Sequence, residues 1–217
     1  SFSEIGQLAG IEATDWSWAP LLADLDNDGN KDLFITNGYR RDVTNLDFVA
    51  FLQETSHDTQ QKERHKRLLD ALRKLPEVEL SNFGFRNRGD LTFSNETKAW
   101  GLDTKSYANG AVYADLDGDG DLDLVVNNID APASVFENRS ERLPNHNFIR
   151  FALRGARGNL GGYGAQVTIH TGRTLQYAEL EPTRGYVSSV EPFLHFGLGA
   201  ATQVDSATVR WPDGACQ

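Results

Sequence analysis

Hydrophobic and polar positions along the chain fall into three regimes. Short apolar runs of strand composition occur at Leu33-Phe-Ile-Thr36, Asn82–Asn87, Leu91–Phe93 and Leu124–Asn127. Between about 39 and 80 the period changes. Leu46, Phe48, Val49 and Leu52, then Leu68, Leu69, Leu72 and Leu75, recur at helical spacing with charges between them, and Pro76 ends the second run. The spacing predicts two helices, over about 44–55 and 58–75. The basic stretch Lys62–Lys74 reads as the solvated face of the second helix, with a recognition helix as the alternative. After Pro144-Asn-His-Asn147, strand patterns return at Phe148–Leu153, Ala165–Thr171, Thr174–Leu180, Phe193–Phe196 and Val204–Trp211. This stretch reads as a separate small β-sandwich of about 70 residues.

The first regime repeats. A shift of 91 residues lays Phe2–Gly38 on Phe93–Ile129 without a gap. Phe2, Ser3, Gly10, Ala23, Asp24, Leu25, Asp26, Asp28, Gly29, Asp32, Leu33 and Asn37 all meet an identical residue. The unit reads as strand, glycine turn, small-residue strand, acidic loop, apolar strand. That is most of one antiparallel blade, and such units must stack to bury their faces. Because a blade takes roughly 40–50 residues, the helical stretch reads as an insertion between two blades.

The acidic loops carry the chemistry. Asp24-Leu-Asp-Asn-Asp-Gly-Asn-Lys-Asp32 and Asp115-Leu-Asp-Gly-Asp-Gly-Asp-Leu-Asp123 both read D-x-D-x-D-G-x-x-D. Carboxylates at positions 1, 3, 5 and 9 can converge on one hard cation, with the carbonyl of position 7 as a further oxygen and the glycine at position 6 for the turn. Oxygen ligands in that number favour Ca²⁺. An EF-hand is excluded: position 12 is Ile35 or Val126 rather than Glu, and strands rather than helices follow. The alternative is a solvated acidic turn that binds nothing, against which stands the mutual repulsion of so many carboxylates.

Composition fits this picture. The 217 residues can form one large or two small domains with real cores, and 39% hydrophobic content marks a globular chain. Nine of the 31 acids lie in the two loops, and two bound Ca²⁺ would bring the net charge of −10 to −6. Nothing offers a basic face to phosphates, which argues against nucleic acid, and no run approaches a membrane span. Cys216 is the only cysteine, so no internal disulfide forms. The chain lacks methionine and a signal peptide and starts and stops abruptly, as expected of a piece of a longer protein.

Catalytic signatures are sparse. His57, His65, His146, His170 and His195 are scattered, with no G-x-S-x-G or H-E-x-x-H motif. His195, within Leu-His-Phe-Gly-Leu-Gly199, reads as a packed or turn-stabilising histidine, with catalysis as the alternative. The loop carboxylates could act as acid and base, but once committed to calcium they are poorly placed to exchange protons. Gly161-Gly-Tyr-Gly164 reads as a hairpin turn rather than a phosphate loop. Trp16, Trp18, Trp100, Tyr107 and Tyr186 read as blade-packing aromatics or as a platform for sugar rings. Asn95-Glu-Thr97 and Asn138-Arg-Ser140 fit the glycosylation sequon, a frequent chance match.

The two acidic units, the second preceded by Ala108-Asn-Gly-Ala-Val-Tyr-Ala114, resemble FG-GAP/VCBS repeats. The resemblance implies an integrin-α-type β-propeller with Ca²⁺ loops between strands. The implied ligands are Asp24, Asp26, Asp28, Asn30 (through its backbone) and Asp32, then Asp115, Asp117, Asp119, Asp121 (backbone) and Asp123. Gly161–Thr168, Arg184-Gly-Tyr186, Leu194–Gly199 and Val209–Gly214 resemble the ASPIC/UnbV domain, which follows FG-GAP repeats in secreted and bacterial surface proteins. Trp16–Pro20, Asn37–Asp42 and the insertion look like the large versions in Bacteroidota-type bacteria. Two features depart from the pattern: a closed propeller needs at least four blades, and the ASPIC/UnbV unit is cut short after Gly214.

The expected fold is therefore mainly β. It comprises a partial β-propeller over 1–143 with a helical insertion at about 39–80, then a small β-sandwich over 144–217. The expected function is a calcium-stabilised extracellular or cell-surface binding or adhesion module, outer-membrane if the source is Gram-negative. It would hold two Ca²⁺ and take as partners a glycan or protein ligand and the rest of the parent propeller. One alternative is a non-hydrolytic or biosynthetic enzyme using the ASPIC/UnbV region, marked by a buried pocket holding His195 and Arg184 beside an acid. The other is a structural spacer of a large surface protein.

Overall fold

The computed structural model describes residues 3–55 and 61–217. Phe2, His57 and the start of the expected second helix lie outside the described residues. A one-turn helix α1 (Gly6–Ala9) leads into strands β1 (Ser17–Ala23) and β2 (Asp32–Asn37). Helices α2 (Leu46–Thr55) and α3 (Gln61–Lys74) follow. Next come β3 (Leu80–Ser81), β4 (Phe83–Asn87), β5 (Phe93–Asn95) and β6 (Lys105–Ser106). Strands β7 (Ala108–Ala114), β8 (Asp123–Asn128) and β9 (Ser134–Phe136) complete the repeat region. The remainder holds β10 (Asn147–Phe151), β11 (Gln166–Thr171), β12 (Thr174–Glu179), β13 (Leu194–Gly199) and β14 (Ser206–Arg210).

The first blade is a four-stranded antiparallel sheet in the order β1-β2-β4-β5, and the second is three-stranded, β7-β8-β9. Their registers coincide pair for pair. Leu21 faces Phe34 and Ala23 faces Asp32 in the first; Val112 faces Val125 and Ala114 faces Asp123 in the second. Even the irregularity recurs, between Ser17 and Pro20 and between Ala108 and Ala111. Pro20 has no N–H to give a ladder, and it sits on an edge strand at such a bulge, where none is needed.

Every residue of β2 is buried. Phe34 faces a core shared by both blades, with Ala19, Leu21, Ala108, Ala111, Leu124 and Val126. Leu33 and Ile35 face a second cluster with Phe85, flanked by Phe83 and Phe93. Burial on both faces explains why Leu-Phe-Ile reads as a continuous apolar run rather than an alternation. A direct bond also joins the blades: Thr36 Oγ1 donates to the Asn109 carbonyl at 2.5 Å.

The helices form a hairpin outside this core. No residue of α3 is buried, so its basic face is solvated. The hairpin is held at its neck, where Tyr39 bridges Val78, the Asp42 N–H donates to the Pro76 carbonyl and Arg41 donates to the Leu75 carbonyl. None of the described helices is long and apolar enough to cross a membrane. In the C-terminal region the pair β10-β13 and the sheet β12-β11-β14 share one core of Val167, Ile169, Ala178, Leu180, Leu194 and Phe196. Phe151 meets Phe196 edge-on at 5.7 Å.

The shared blade core should dominate stability. Phe34, 1% exposed, is expected to cost about 3–5 kcal/mol on Phe34→Ala in urea unfolding. Leu46→Ala in α2, where the side chain is 81% exposed, should stay within about 0.5 kcal/mol.

Candidate metal centres

Each acidic loop is wound by its own carboxylates. In the first, the Asp28 N–H donates to Asp24 Oδ1 (3.1 Å), Gly29 to Asp24 Oδ2 (2.9 Å) and Asn30 to Asp28 Oδ1 (2.8 Å). Asn27 (φ 57°) and Gly29 (φ 95°) take left-handed turns that aim these donors inward. In the second, Gly118 donates to Asp115 Oδ1 (2.8 Å) and Asp121 to Asp119 Oδ1 (3.2 Å).

The ninth residue fastens each loop shut. Asp32 accepts from the Leu25 N–H at 3.0 Å and the Asn87 N–H at 2.9 Å. Asp123 accepts from Leu116 at 2.9 Å and Asn138 at 2.8 Å. The same two asparagines reach back with their amides, Asn87 to the Lys31 carbonyl and Asn138 to the Leu122 carbonyl. The clasp is thus a Phe-x-Asn motif, Phe85-Arg86-Asn87 and Phe136-Glu137-Asn138, that sequence reasoning missed. Its partner lies 55 residues from Asp32 but 15 from Asp123, because the hairpin intervenes only once, so a search at one fixed shift passes over it. Asn138 also donates to the Leu25 carbonyl at 2.6 Å, which occupies its sequon amide internally.

The structure brings one oxygen each of Asp24, Asp26 and Asp28 within 4.8 Å of one another, and likewise for Asp115, Asp117 and Asp119. Asp32 and Asp123 stand behind these triads as clasps, each with both oxygens on backbone N–H groups. The side chains of Asn30 and Asp121 turn elsewhere, Asn30 to Asp28 and Asp121 to Ser140. Burial pushes the Asp24 carboxyl up to about 8, helped by the charges of Asp28, Asp32 and Asp26. It pushes Asp32 to about 7, with Asp26 and Asp28 adding to the rise. Guanidiniums relieve part of the charge. Arg86 lies 2.6 Å from Asp26 and 3.6 Å from Asp28. The corresponding residue of the second motif is Glu137, and there Arg150 of β10 reaches Asp115 at 2.7 Å instead. Oxygen-only donors whose charged form lacks sufficient counter-charge suit a hard divalent cation.

The C-terminal region sits directly on these loops. The Gly197 N–H donates to Asp24 Oδ2 at 3.1 Å, and the Gly199 N–H to the Asn27 carbonyl at 2.8 Å. Only glycine fits at 197: a Cβ there would strike Asp24 Oδ2 and lie 2.5 Å from the Asn27 carbonyl carbon. The Phe148 ring lies against Gly120 of the second loop and stacks on His195 at 5.4 Å. Asn27 ties all three together: its amide donates to the Gly120 carbonyl, and its Oδ1 meets His195 Nε2 at 2.6 Å. Since Oδ1 only accepts, Nε2 carries the proton. Burial, then Arg150, lowers the His195 ring to about 4, so it stays neutral.

The residues singled out for catalysis do meet. His195 and Arg184 line a cavity with Asp24 and Glu191, but its volume is about 40 Å³. That is room for a water, which the unpartnered His195 Nδ1 could bind, and far below the roughly 300 Å³ of a small-molecule site. Arg184 is spent on the Glu181 and Glu179 carbonyls. Of the expected aromatic platform, Trp16, Trp18 and Tyr186 form a row that Tyr39 extends, with neighbouring centroids 4.9–6.4 Å apart. Trp100 instead packs against the blade core, and Tyr107 bonds Glu77.

Stacked blades, clasped acidic loops and an appended sandwich define a repeat protein of the FG-GAP kind with a further C-terminal unit. Residues 80–126 match the family model described as FG-GAP-like repeat, and residues 155–217 match ASPIC and UnbV. The chain therefore joins an FG-GAP-like repeat region to an ASPIC/UnbV domain. It is similar to cartilage acidic protein 1 of Homo sapiens and of Mus musculus, 32% identical to each over 133 residues, covering 59% of this chain and 20% of the relative. The Xenopus tropicalis cartilage acidic protein 1 is 35% identical over 109 residues, 48% of this chain and 16% of the relative. The chain thus spans about a fifth of the length of these relatives.

The charge of the first loop gives a pH signature. Asp24 keeps its proton in the cation-free fold up to about pH 8 but releases it near 4 when unfolded. The unfolded state therefore binds fewer protons across that window, and the fold loses stability as pH rises through it. His195 contributes with the opposite sign, but only between about 4 and 6.5. In EDTA, urea-unfolding stability is expected to fall from pH 6.5 to pH 8, and saturating Ca²⁺ should abolish the fall.

Proposed function

We propose that the chain is a calcium-stabilised extracellular or cell-surface module, adhesive or ligand-binding, dividing near residue 143 into blades and sandwich. Each loop would hold one Ca²⁺, through Asp24, Asp26 and Asp28 with the Asn30 carbonyl and Asp32 in the first. In the second the set is Asp115, Asp117 and Asp119 with the Asp121 carbonyl and Asp123. The observation that carries this reading is the pair of carboxylate triads, each clasped by the same Asp-to-Asn bonds and each touched by the C-terminal region, through Gly197 on Asp24 and Arg150 on Asp115. An ion placed there neutralises the acids at the seat of that region, so that binding is linked to folding. The name of the similar proteins, cartilage acidic protein, is in keeping with an extracellular setting.

The ligand is proposed to be a glycan or a protein. The row Tyr39–Trp16–Trp18–Tyr186 supports the glycan choice: these rings are partly exposed and can stack on sugar faces. Tyr186→Ala is expected to abolish retention on a glycan array while leaving the melting temperature unchanged. Glycan retention that survives the substitution would remove the row from the binding surface.

Calcium itself is tested by thermal unfolding in EDTA, then in Ca²⁺ or Mg²⁺. A rise of roughly 5–10 °C per filled site, specific to Ca²⁺, is expected at a hundredfold excess over Kd. Asp26→Ala combined with Asp117→Ala should remove it. A folded chain with no shift at millimolar Ca²⁺ would overturn the reading.

A further inference from the structure

We propose a third cation site, at the outer flank of the second loop, formed by Asp119 and Asp121 of that loop with Glu141 beyond it, and taking a hard divalent cation such as Ca²⁺. It goes beyond the two-loop reading, with which it shares Asp119 and, through a different group, Asp121, whose carbonyl serves the loop and whose carboxylate serves this site. One oxygen of each of the three residues lies within 4.8 Å of the others.

The 3₁₀ turn Ser140–Arg142 follows the second clasp, and its N-cap, Arg139, offers no side-chain cap. Asp121 supplies it from the loop. Its Oδ2 accepts from the Ser140 N–H (2.8 Å), the Ser140 hydroxyl (3.2 Å) and the Glu141 N–H (3.3 Å). This fixes the carboxylate and leaves Oδ1 aimed away from the turn, buried and without a hydrogen-bond partner, on a residue 1% exposed. Glu141 repeats the pattern: Oε1 takes the Arg142 Nε–H at 2.9 Å, while Oε2 is buried and unpartnered. The neighbouring Arg139 is spent on Glu137.

Two buried carboxylate oxygens without partners, beside a third acid, are a costly arrangement unless a positive charge lies between them. Asp119 is exposed, which leaves one side open for the cation to arrive and for water to complete its shell. The first repeat cannot form the same site. Asn30 stands where the second repeat has Asp121. Asp90 follows Asn87 by three residues, as Glu141 follows Asn138, but it is turned to Thr92. With the two loops, the described residues thus offer three sites, and the first repeat supplies no fourth.

Equilibrium dialysis of the whole chain against saturating Ca²⁺ counts them. The wild type is expected to hold three per chain. Glu141→Gln, a same-shape change in a partly exposed side chain, should hold two, and so should Asp121→Asn, which keeps an acceptor for the turn. A wild-type count of two or fewer that Glu141→Gln leaves unchanged would overturn the site. Because Glu141 belongs to neither loop, that failure is separate from a failure of the loop sites, which only the Asp26→Ala and Asp117→Ala changes report.

Discussion

Asp24 is a carboxylate buried where two parts of the chain meet. It takes N–H groups from Asp28 and Gly29 of its own loop and a third from Gly197 of β13. Three donors hold the group in place but do not cancel its charge, and three other acids crowd it. Whatever neutralises Asp24 therefore also determines how firmly the sandwich sits on the first blade. Loop winding and docking thus become one equilibrium, to which the proposed cation would be linked. Asn27 also joins the first loop to the second, by its hydrogen bond to the Gly120 carbonyl.

The two repeats share a register down to the bulge, yet they balance charge differently. The first draws Arg86 from its own blade, whereas the second, with Glu137 in that place, borrows Arg150 from β10. The first blade also tolerates a long helical excursion between β2 and β4. Loop-closure cost grows only as the logarithm of length, and the neck at Tyr39–Val78 removes most of the remaining freedom.

Local spacing made much of this legible. The 91-residue shift carried the blade register because the matched segment contains no insertion. The loops and their triads followed from nine contiguous residues. What escaped were relations set by tertiary closure. The role of Asn87 and Asn138 was hidden by a separation that the hairpin changes from one repeat to the next. The clasping role of Asp32 and Asp123 was equally hidden, because the strand register brings backbone donors to both of their oxygens. His195 was recognisable as a packed histidine, but its partner Asn27 lies 168 residues away. Tyr39 joined the aromatic row, and Trp100 left it, because side-chain direction on a twisted blade is not written in composition.

The neck of the hairpin has a practical side. Its two ends are stitched together by a bridge and by bonds from Arg41 and Asp42 to the Leu75 and Pro76 carbonyls. α3 adds nothing to the interior. Evolution, or an engineer, can thus treat the segment between Asp42 and Pro76 as an interchangeable cartridge. It can be shortened, swapped or replaced with a foreign recognition element while the blade beneath keeps its strands and its loop.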